Sequence, residues 1–439
     1  MAQAHFQAQA RAVLTHIMLR LFLFLIVPFA LAGPRYSSSP PAVFLDAFDG
    51  DYNTTVSPGT KWGTWEGWGI SLCWWANVFG EYDDLADLAF SRNTAHARGA
   101  NHLELFSNSP MWWMLYNHNP SGRGLSDNLQ SWNYGNHSLY LATIAARAQE
   151  HWGFEFTSVE PLNEPIADWW KPEGTQEGCH FDHSTQAMIL NRLRSEMDKL
   201  DLDAVVSGSD ENTYDEGRAT WASFDETTKS NIGKVNVHGY QGAEGRRDLL
   251  YQDVAGKRLW NSEYGDGDGS GKSLASNLNL DFRLLHNTAW CYWQFADESD
   301  GWGLLKFDSS SFKIQQANTK YWVLAQYARH IRPGMMIIDG GESNTIAAYD
   351  PSEHLLVLVT TSYDSNKSVT YDLSQFGEVR GPITQWTTNF ADGGERYVER
   401  KDVALADKAF ASTFTADTVR TFEVQNVKLT SSMLVELVV

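Results

Sequence analysis

Cysteine is almost missing from this 439-residue chain: only Cys73, Cys179 and Cys291 occur. At most one disulfide can form, with one thiol left over, so no disulfide framework holds the fold. Their spacing is not that of zinc ligands, and buried free thiols are expected. Positive charge is scarce as well. Lys and Arg total 34 against 54 Asp and Glu, a formal charge of −20. Such a surface repels nucleic acid and anionic membranes, and it suits a neutral substrate. No transmembrane helix is expected beyond the first residues, and no internal repeat of fixed period is evident. No Gly-rich phosphate loop follows a strand, and no Gly-x-Ser-x-Gly elbow occurs. His238 has no partner at metal-ligand spacing, so neither a metal nor another cofactor is expected.

What is present begins with an export signal. Arg11 and Arg20 precede an apolar run from Leu21 to Ala32, which closes on Ala30-Leu31-Ala32 before Gly33. Residues 1–32 therefore read as a signal peptide, too short in its apolar core to span a bilayer. A secreted, extracellular chain is expected, monomeric and free of the membrane once the leader is cut. Sequons at Asn53, Asn136 and Asn366 agree with that. Residues 34–41, rich in Pro and Ser, read as a linker.

From 63 to 331 short apolar runs alternate with helical patterns. Strands are expected at Gly67–Trp75, Asn101–Asn108, Phe156–Asn163, Ala204–Asp210, Lys234–Tyr240, Arg258–Glu263 and Thr288–Phe295. Between Ser184 and Leu200, Leu190, Leu193, Met197 and Leu200 share one helical face. Strands alternating with helices over roughly 250 residues imply a parallel (β/α)8 barrel. From 332 to 427 the runs are strand-like with no amphipathic helix among them, which reads as an antiparallel β-sandwich. Residues 42–62, with a strand-like run at Ala42–Phe48, are expected to add a strand to it. Residues 428–439 form a tail.

In such a barrel the chemistry lies at the carboxyl ends of the strands. Two carboxylates fall there, in Asn163-Glu164-Pro165 and in Ser262-Glu263-Tyr264-Gly265. Glycosidic cleavage with retention needs such a pair, one carboxylic acid to protonate the leaving oxygen and one carboxylate to attack the anomeric carbon. Glu164 reads as the acid/base, with Asn163 beside it able to donate to a sugar hydroxyl, and Glu263 reads as the nucleophile. The 18 Trp support a sugar cleft, since indoles stack on pyranose C–H faces. Trp293, at the end of the last barrel strand, is the leading platform, followed by Trp302 and Trp65. Asn108, His238 and Tyr240 are further strand-tip candidates. Gly265-Asp266-Gly267-Asp268-Gly269 reads as a flexible lid rather than a calcium loop.

Five stretches together resemble family 30 glycoside hydrolases, and within them the fungal endo-β-1,6-galactanases. They are Gly63–Gly69, Phe106–Trp113, Glu160–Pro165, Trp260–Gly265 and Trp290–Gln294. The resemblance implies a barrel with a side sandwich, acid/base at Glu164, nucleophile at Glu263, and β-1,6-linked galactan of arabinogalactan-type polysaccharide as substrate. It also implies an eighth strand between Trp75 and Asn101, with an arginine at its tip. Only one helix, at about Asp83–Arg98, fits there. A skipped exon is the reading favoured for this gap. Sequencing the transcript across codons 85–100 tests it, and a transcript identical to this sequence refutes it. The alternatives are an endo-β-1,6-glucanase or xylanase of the same family, and a secreted carbohydrate-binding protein with impaired catalysis.

Overall fold

The computed structural model describes residues 50–71, 100–299, 301–308, 310 and 313–435. The leader, the linker, the Ala42–Phe48 run, the 83–98 helix, Cys73, Trp74 and Trp75 lie outside them. Nine strands come first: β1 (Gly50–Thr55), β2 (Ser57–Thr64), β3 (Gly67–Ile70), β4 (Glu104–Phe106), β5 (Ser158–Glu160), β6 (Val205–Glu211), β7 (Ile232–His238), β8 (Arg258–Tyr264) and β9 (Ala289–Tyr292). β3 to β9 form one curled sheet in the order β3-β9-β8-β7-β6-β5-β4, parallel throughout. The helices Tyr134–Arg147 and His183–Lys199 lie on its outside and bury Leu141, Ile189, Leu190 and Leu193 against it.

β7 shows how sequence builds this wall. Side chains alternate along a strand. Val235 and Val237 point outward into the helical layer. Lys234, Asn236 and His238 point inward and supply three tiers of a polar interior. At the bottom Lys234 Nζ donates to Glu104 Oε2 of β4 at 2.6 Å and lies 3.5 Å from the centre of the Trp260 ring. In the middle Asn236 donates to Glu104 Oε1 at 2.9 Å and to Glu160 Oε2 at 3.3 Å. At the top is His238, in the candidate site.

The sheet does not close among the described residues: β3 and β4 are its two edges, and no pairing joins them. The unit that the family resemblance leads one to expect falls in this gap. Asn101 Nδ2 spans its lower end with a hydrogen bond to Glu66 O at 2.6 Å. Glu104, next to the opening, keeps 20% of its side chain exposed although its partner Lys234 has none.

Three short strands follow the barrel: β10 (Ala296–Asp297), β11 (Leu305–Asp308) and β12 (Lys313–Ala317). The sandwich holds β13 (Met336–Asp339), β14 (Thr345–Asp350), β15 (Leu355–Ser362), β16 (Lys367–Asp372), β17 (Glu378–Val379), β18 (Ile383–Asn389), β19 (Val398–Val403), β20 (Ala409–Phe414), β21 (Thr418–Val424) and β22 (Val427–Lys428). Its large sheet runs β19-β18-β21-β15-β14-β13-β2, and β1-β16-β20 packs against it. Both ends of the chain thus build it, through residues 50–64 at the front. Most of its pairs are antiparallel, but β1 runs parallel to β16, because β1 arrives from the far end of the chain. β22 pairs with β17, so the sandwich reaches past residue 427. Helix Thr319–Ala328 joins barrel to sandwich: Gln326 donates to Thr388 and accepts from Thr421. No described helix is long and apolar enough to cross a membrane.

Candidate active site

Glu164 follows β5 on a backbone with φ of 44°, a left-handed conformation uncommon outside glycine. Three hydrogen bonds hold it there. Its N–H donates to Asp210 O at 2.9 Å, and its carbonyl accepts from Ala167 N at 3.1 Å and from Trp170 Nε1 at 2.9 Å. The carboxyl is thereby aimed into the barrel mouth, where Asn212 Nδ2 donates to Oε1 at 2.6 Å.

Glu263 reaches the same mouth through an irregularity. By simple alternation Trp260 faces inward, so residue 263 would face out. The register of β8 slips against both neighbours at its upper end, and the slip turns Glu263 inward. Tyr240 OH then donates to Glu263 Oε1 at 2.8 Å.

The two carboxylates converge. One oxygen of each and one nitrogen of His238 all lie within 4.8 Å of one another. His238 Nδ1 is 3.1 Å from Glu164 Oε1 and 3.6 Å from Glu263 Oε1, while its Nε2 is 3.2 Å from Asp210 Oδ2. Burial alone would lower the imidazole pKa, but the carboxylates of Glu263, Asp210 and Glu164 outweigh it and hold the ring well above 6.5. Burial pushes Glu263 up to about 7; Glu164's charge adds to this, and His238 and Tyr240 oppose it. Tyr240 is held well above 10 by burial and by the same two glutamates, so it remains a donor. His238, Glu164 and Glu263 could converge on a cation. A ring protonated on both nitrogens meets carboxylates on each side and supplies the counter-charge itself, with no lone pair left for a metal.

The other predicted residues divide. Asn163 is buried beside Glu164, and its Oδ1 has no partner, a buried acceptor open to a hydroxyl. Asn108 is half-buried just beyond β4. Trp293 follows β9 and is only 7% exposed. Trp302 is 39% exposed, and its ring lies on Gly265 and Gly267 directly after Glu263. A Cβ at Gly265 would stand 2.0 Å from Trp293 O and 3.1 Å from the Trp302 ring, so only glycine fits. Trp65 is misassigned by the sequence. It precedes β3, at the opposite end of the barrel, and is fully buried against Trp68 and Phe282 at centroid distances of 4.7 Å. The expected lid is tied down instead. The fully buried Lys320 donates to Asp266 O and Oδ1 at 2.8 and 2.7 Å, and Asp268 accepts from Ser270 and Ser273. Sequence reasoning missed Asn212 and Asp210. Asp210 and Asn212 lie at the tip of β6, where the strand-end rule would have found them.

The site subsequently finds counterparts in known proteins. The profile described as "O-Glycosyl hydrolase family 30" matches residues 87–223. An endo-beta-1,6-galactanase from Hypocrea rufa is 42% identical over 469 residues, covering 88% of this chain and 98% of that protein. That alignment is longer than the whole of this 439-residue chain, so the relative carries residues with no counterpart here. An exo-beta-1,6-galactobiohydrolase from Bifidobacterium longum is 20% identical over 63% of this chain and 24% of its own length. Among solved structures, the catalytic domain of xylanase C from Talaromyces cellulolyticus superposes with a TM-score of 0.67 at 16% identity, covering 85% of this chain and all of that one. A subfamily 8 xylanase from Clostridium acetobutylicum gives 0.65 at 16% identity, covering 85% and 99%. These structural likenesses speak to the fold.

Proposed function

Since this chain belongs to glycoside hydrolase family 30, we propose that it is a secreted, retaining endo-β-1,6-galactanase in which Glu164 is the acid/base and Glu263 the nucleophile. The carrying observation is the approach of the two carboxylates to within 4.8 Å. Retaining pairs stand about 5–5.5 Å apart and inverting pairs about 6.5–9.5 Å, the difference being room for a water. Substrate choice follows the 42% identical relative, whose name gives that linkage. Export is supported by the leader, and by Asn53, Asn136 and Asn366 all standing exposed at the surface.

The chemistry needs one proton on the pair. Glu164 gives it to the glycosidic oxygen as the bond to the anomeric carbon breaks, and a Glu263 oxygen bonds that carbon. Glu164, now a carboxylate, takes a proton from the incoming water, whose oxygen displaces Glu263. Tyr240 donates to Glu263 and steadies its carboxylate before the attack and again as it leaves. His238 Nδ1, 3.1 Å from Glu164 Oε1 and 3.6 Å from Glu263 Oε1, sets a positive charge beside both glutamates.

Hydrolysis of de-arabinosylated arabinogalactan, pustulan and xylan, with the anomer of the first product read by proton NMR, tests the reading. New reducing ends from galactan with retained configuration are expected. Release only from pustulan or xylan would displace galactan. Glu164→Gln and Glu263→Gln should each lower kcat by about 10³-fold or more with melting unchanged. That β3 and β4 are unpaired edges among the described residues favours a second reading, a sugar-binding protein with impaired turnover. Binding of galacto-oligosaccharides without any hydrolysis would select it.

A further inference from the structure

We propose that Asp281, on the outer side of the barrel wall, is a positioning residue for Glu263: it clamps β8 to β9 where β8 leaves register, and so fixes the direction in which Glu263 faces. The role rests on reading Glu263 as the nucleophile. Asp281 opens the turn Asp281–Leu285 that ends helix Lys272–Leu280, between β8 and β9. Its carboxylate accepts four hydrogen bonds. Oδ1 takes Arg247 Nε at 2.6 Å and Tyr214 OH at 2.7 Å. Oδ2 takes Asn261 Nδ2 at 2.6 Å and Trp290 Nε1 at 2.9 Å. All five side chains are fully buried. The neighbouring Leu274, Leu278 and Phe282 pack as apolar core. Replacing a buried ion pair by apolar side chains is often neutral or stabilising, so stability does not account for Asp281 and Arg247 here. What they supply is register.

Asn261 is the last residue of β8 in register with both neighbours, opposite Val237 of β7 and Trp290 of β9. Beyond it β8 carries one extra residue against each, so that Glu263 pairs with His238 and Tyr264 with Tyr292. A shift of one residue turns a strand's side chains to the opposite face. Without the extra residue Glu263 would face the helical layer. Were it inserted one place earlier, Asn261 would turn into the barrel and leave Asp281. Asp281 holds Asn261 on the outer face with Trp290 beside it, so the slip begins after Asn261. The same helix secures the far side of the slip. Asn277 Nδ2 donates to Gly239 O at 3.0 Å, and Gly239 N–H donates to Glu263 O at 2.8 Å.

The test uses the full chain. Asn261→Ala cuts the tie to β8, and Asp281→Asn weakens all four. Leu193→Ala, which removes core contacts from helix His183–Lys199, is the control for lost stability alone. With kcat and KM read well below each melting point, both clamp variants should lose about 30-fold in kcat with KM within about twofold. Leu193→Ala should melt lower and keep the wild-type kcat. A crystal structure of Asn261→Ala, which needs no turnover, should show the hydrogen bond from Tyr240 to Glu263 lost. Should Asp281→Asn fail to fold, Trp290→Phe cuts its tie to β9 and takes its place, with a loss of about tenfold. The proposal is overturned if Asn261→Ala, or Asp281→Asn or its stand-in, keeps the wild-type kcat. It is equally overturned if Leu193→Ala loses kcat as they do, or if Glu263 keeps its bond to Tyr240 in Asn261→Ala. Glu263→Gln separates the two failures. If it is inactive while Asn261→Ala is not impaired, only the positioning role has failed. If Glu263→Gln stays active, the nucleophile is misassigned and the role of Asp281 falls with it.

Discussion

Three carboxylates converge on the single imidazole of His238, and this sets how the site titrates. Burial has already pushed Glu263 up to about 7. The reacting pair needs one proton, so kcat/KM should fall as pH rises through about 7, where the pair loses it. His238 holds that value down by its positive charge. His238→Gln should therefore move the alkaline limb upward by about one pH unit. A limb that stays in place, measured on any hydrolysed substrate, would remove His238 from the titration. Glu211, behind the Glu164 loop, acts on stability instead. Burial lifts its carboxyl to about 8 from an ordinary 4.5. A group raised in the fold stabilises fully below its unfolded value, and the contribution is lost as pH climbs through the folded one. Glu211→Gln should flatten the decline of Tm between about pH 4.5 and 8. At this scale the sequence spoke through motifs. Asn163-Glu164-Pro165 and Ser262-Glu263-Tyr264 were legible because proline, glycine and aromatic neighbours mark strand tips. Asp210 and Asn212 carried no such mark. Trp65 was misread because indoles fill cores and clefts alike, and only its place at the amino end of β3 separates the two.

Elements were more legible than residues. All seven parallel strands were readable from their apolar runs, and helix His183–Lys199 from its 3.6-residue stripe. β19, Val-Glu-Arg-Lys-Asp-Val, was not: an edge strand carries charge to discourage further pairing and so loses its alternation. The register slip of β8 was equally invisible, though it delivers Glu263. The loop after β8 shows how an element can serve a site from outside it. Lys320, on helix Thr319–Ala328, fixes Asp266 and bonds Tyr292 OH at 2.9 Å. Lys320→Met should lower kcat by about tenfold through a displaced Glu263, with KM changed far less. An unchanged kcat would reduce Lys320 to a purely structural tie.

Across the whole molecule the division into barrel and sandwich was legible because one half alternates strands with helices and the other does not. The gap in the barrel wall was legible as well, since the stretch between Trp75 and Asn101 has room for one helix only, and β3 and β4 are unpaired edges among the described residues. The polar interior beside that gap is open to measurement. Lys234 is fully buried against Glu104, so Lys234→Met strands a carboxylate and should cost about 3–5 kcal/mol, nearer the lower figure because Glu104 reaches solvent. Denaturant unfolding reads this directly.

The sandwich draws strands from residues 50–64 and from 336–428, and this imposes an order on biosynthesis. A ribosome that has delivered both glutamates has still to deliver the partners of β1 and β2. A nascent chain halted near residue 331 would own its whole catalytic pair yet trail two orphaned strands, exposed to any neighbour with a free edge.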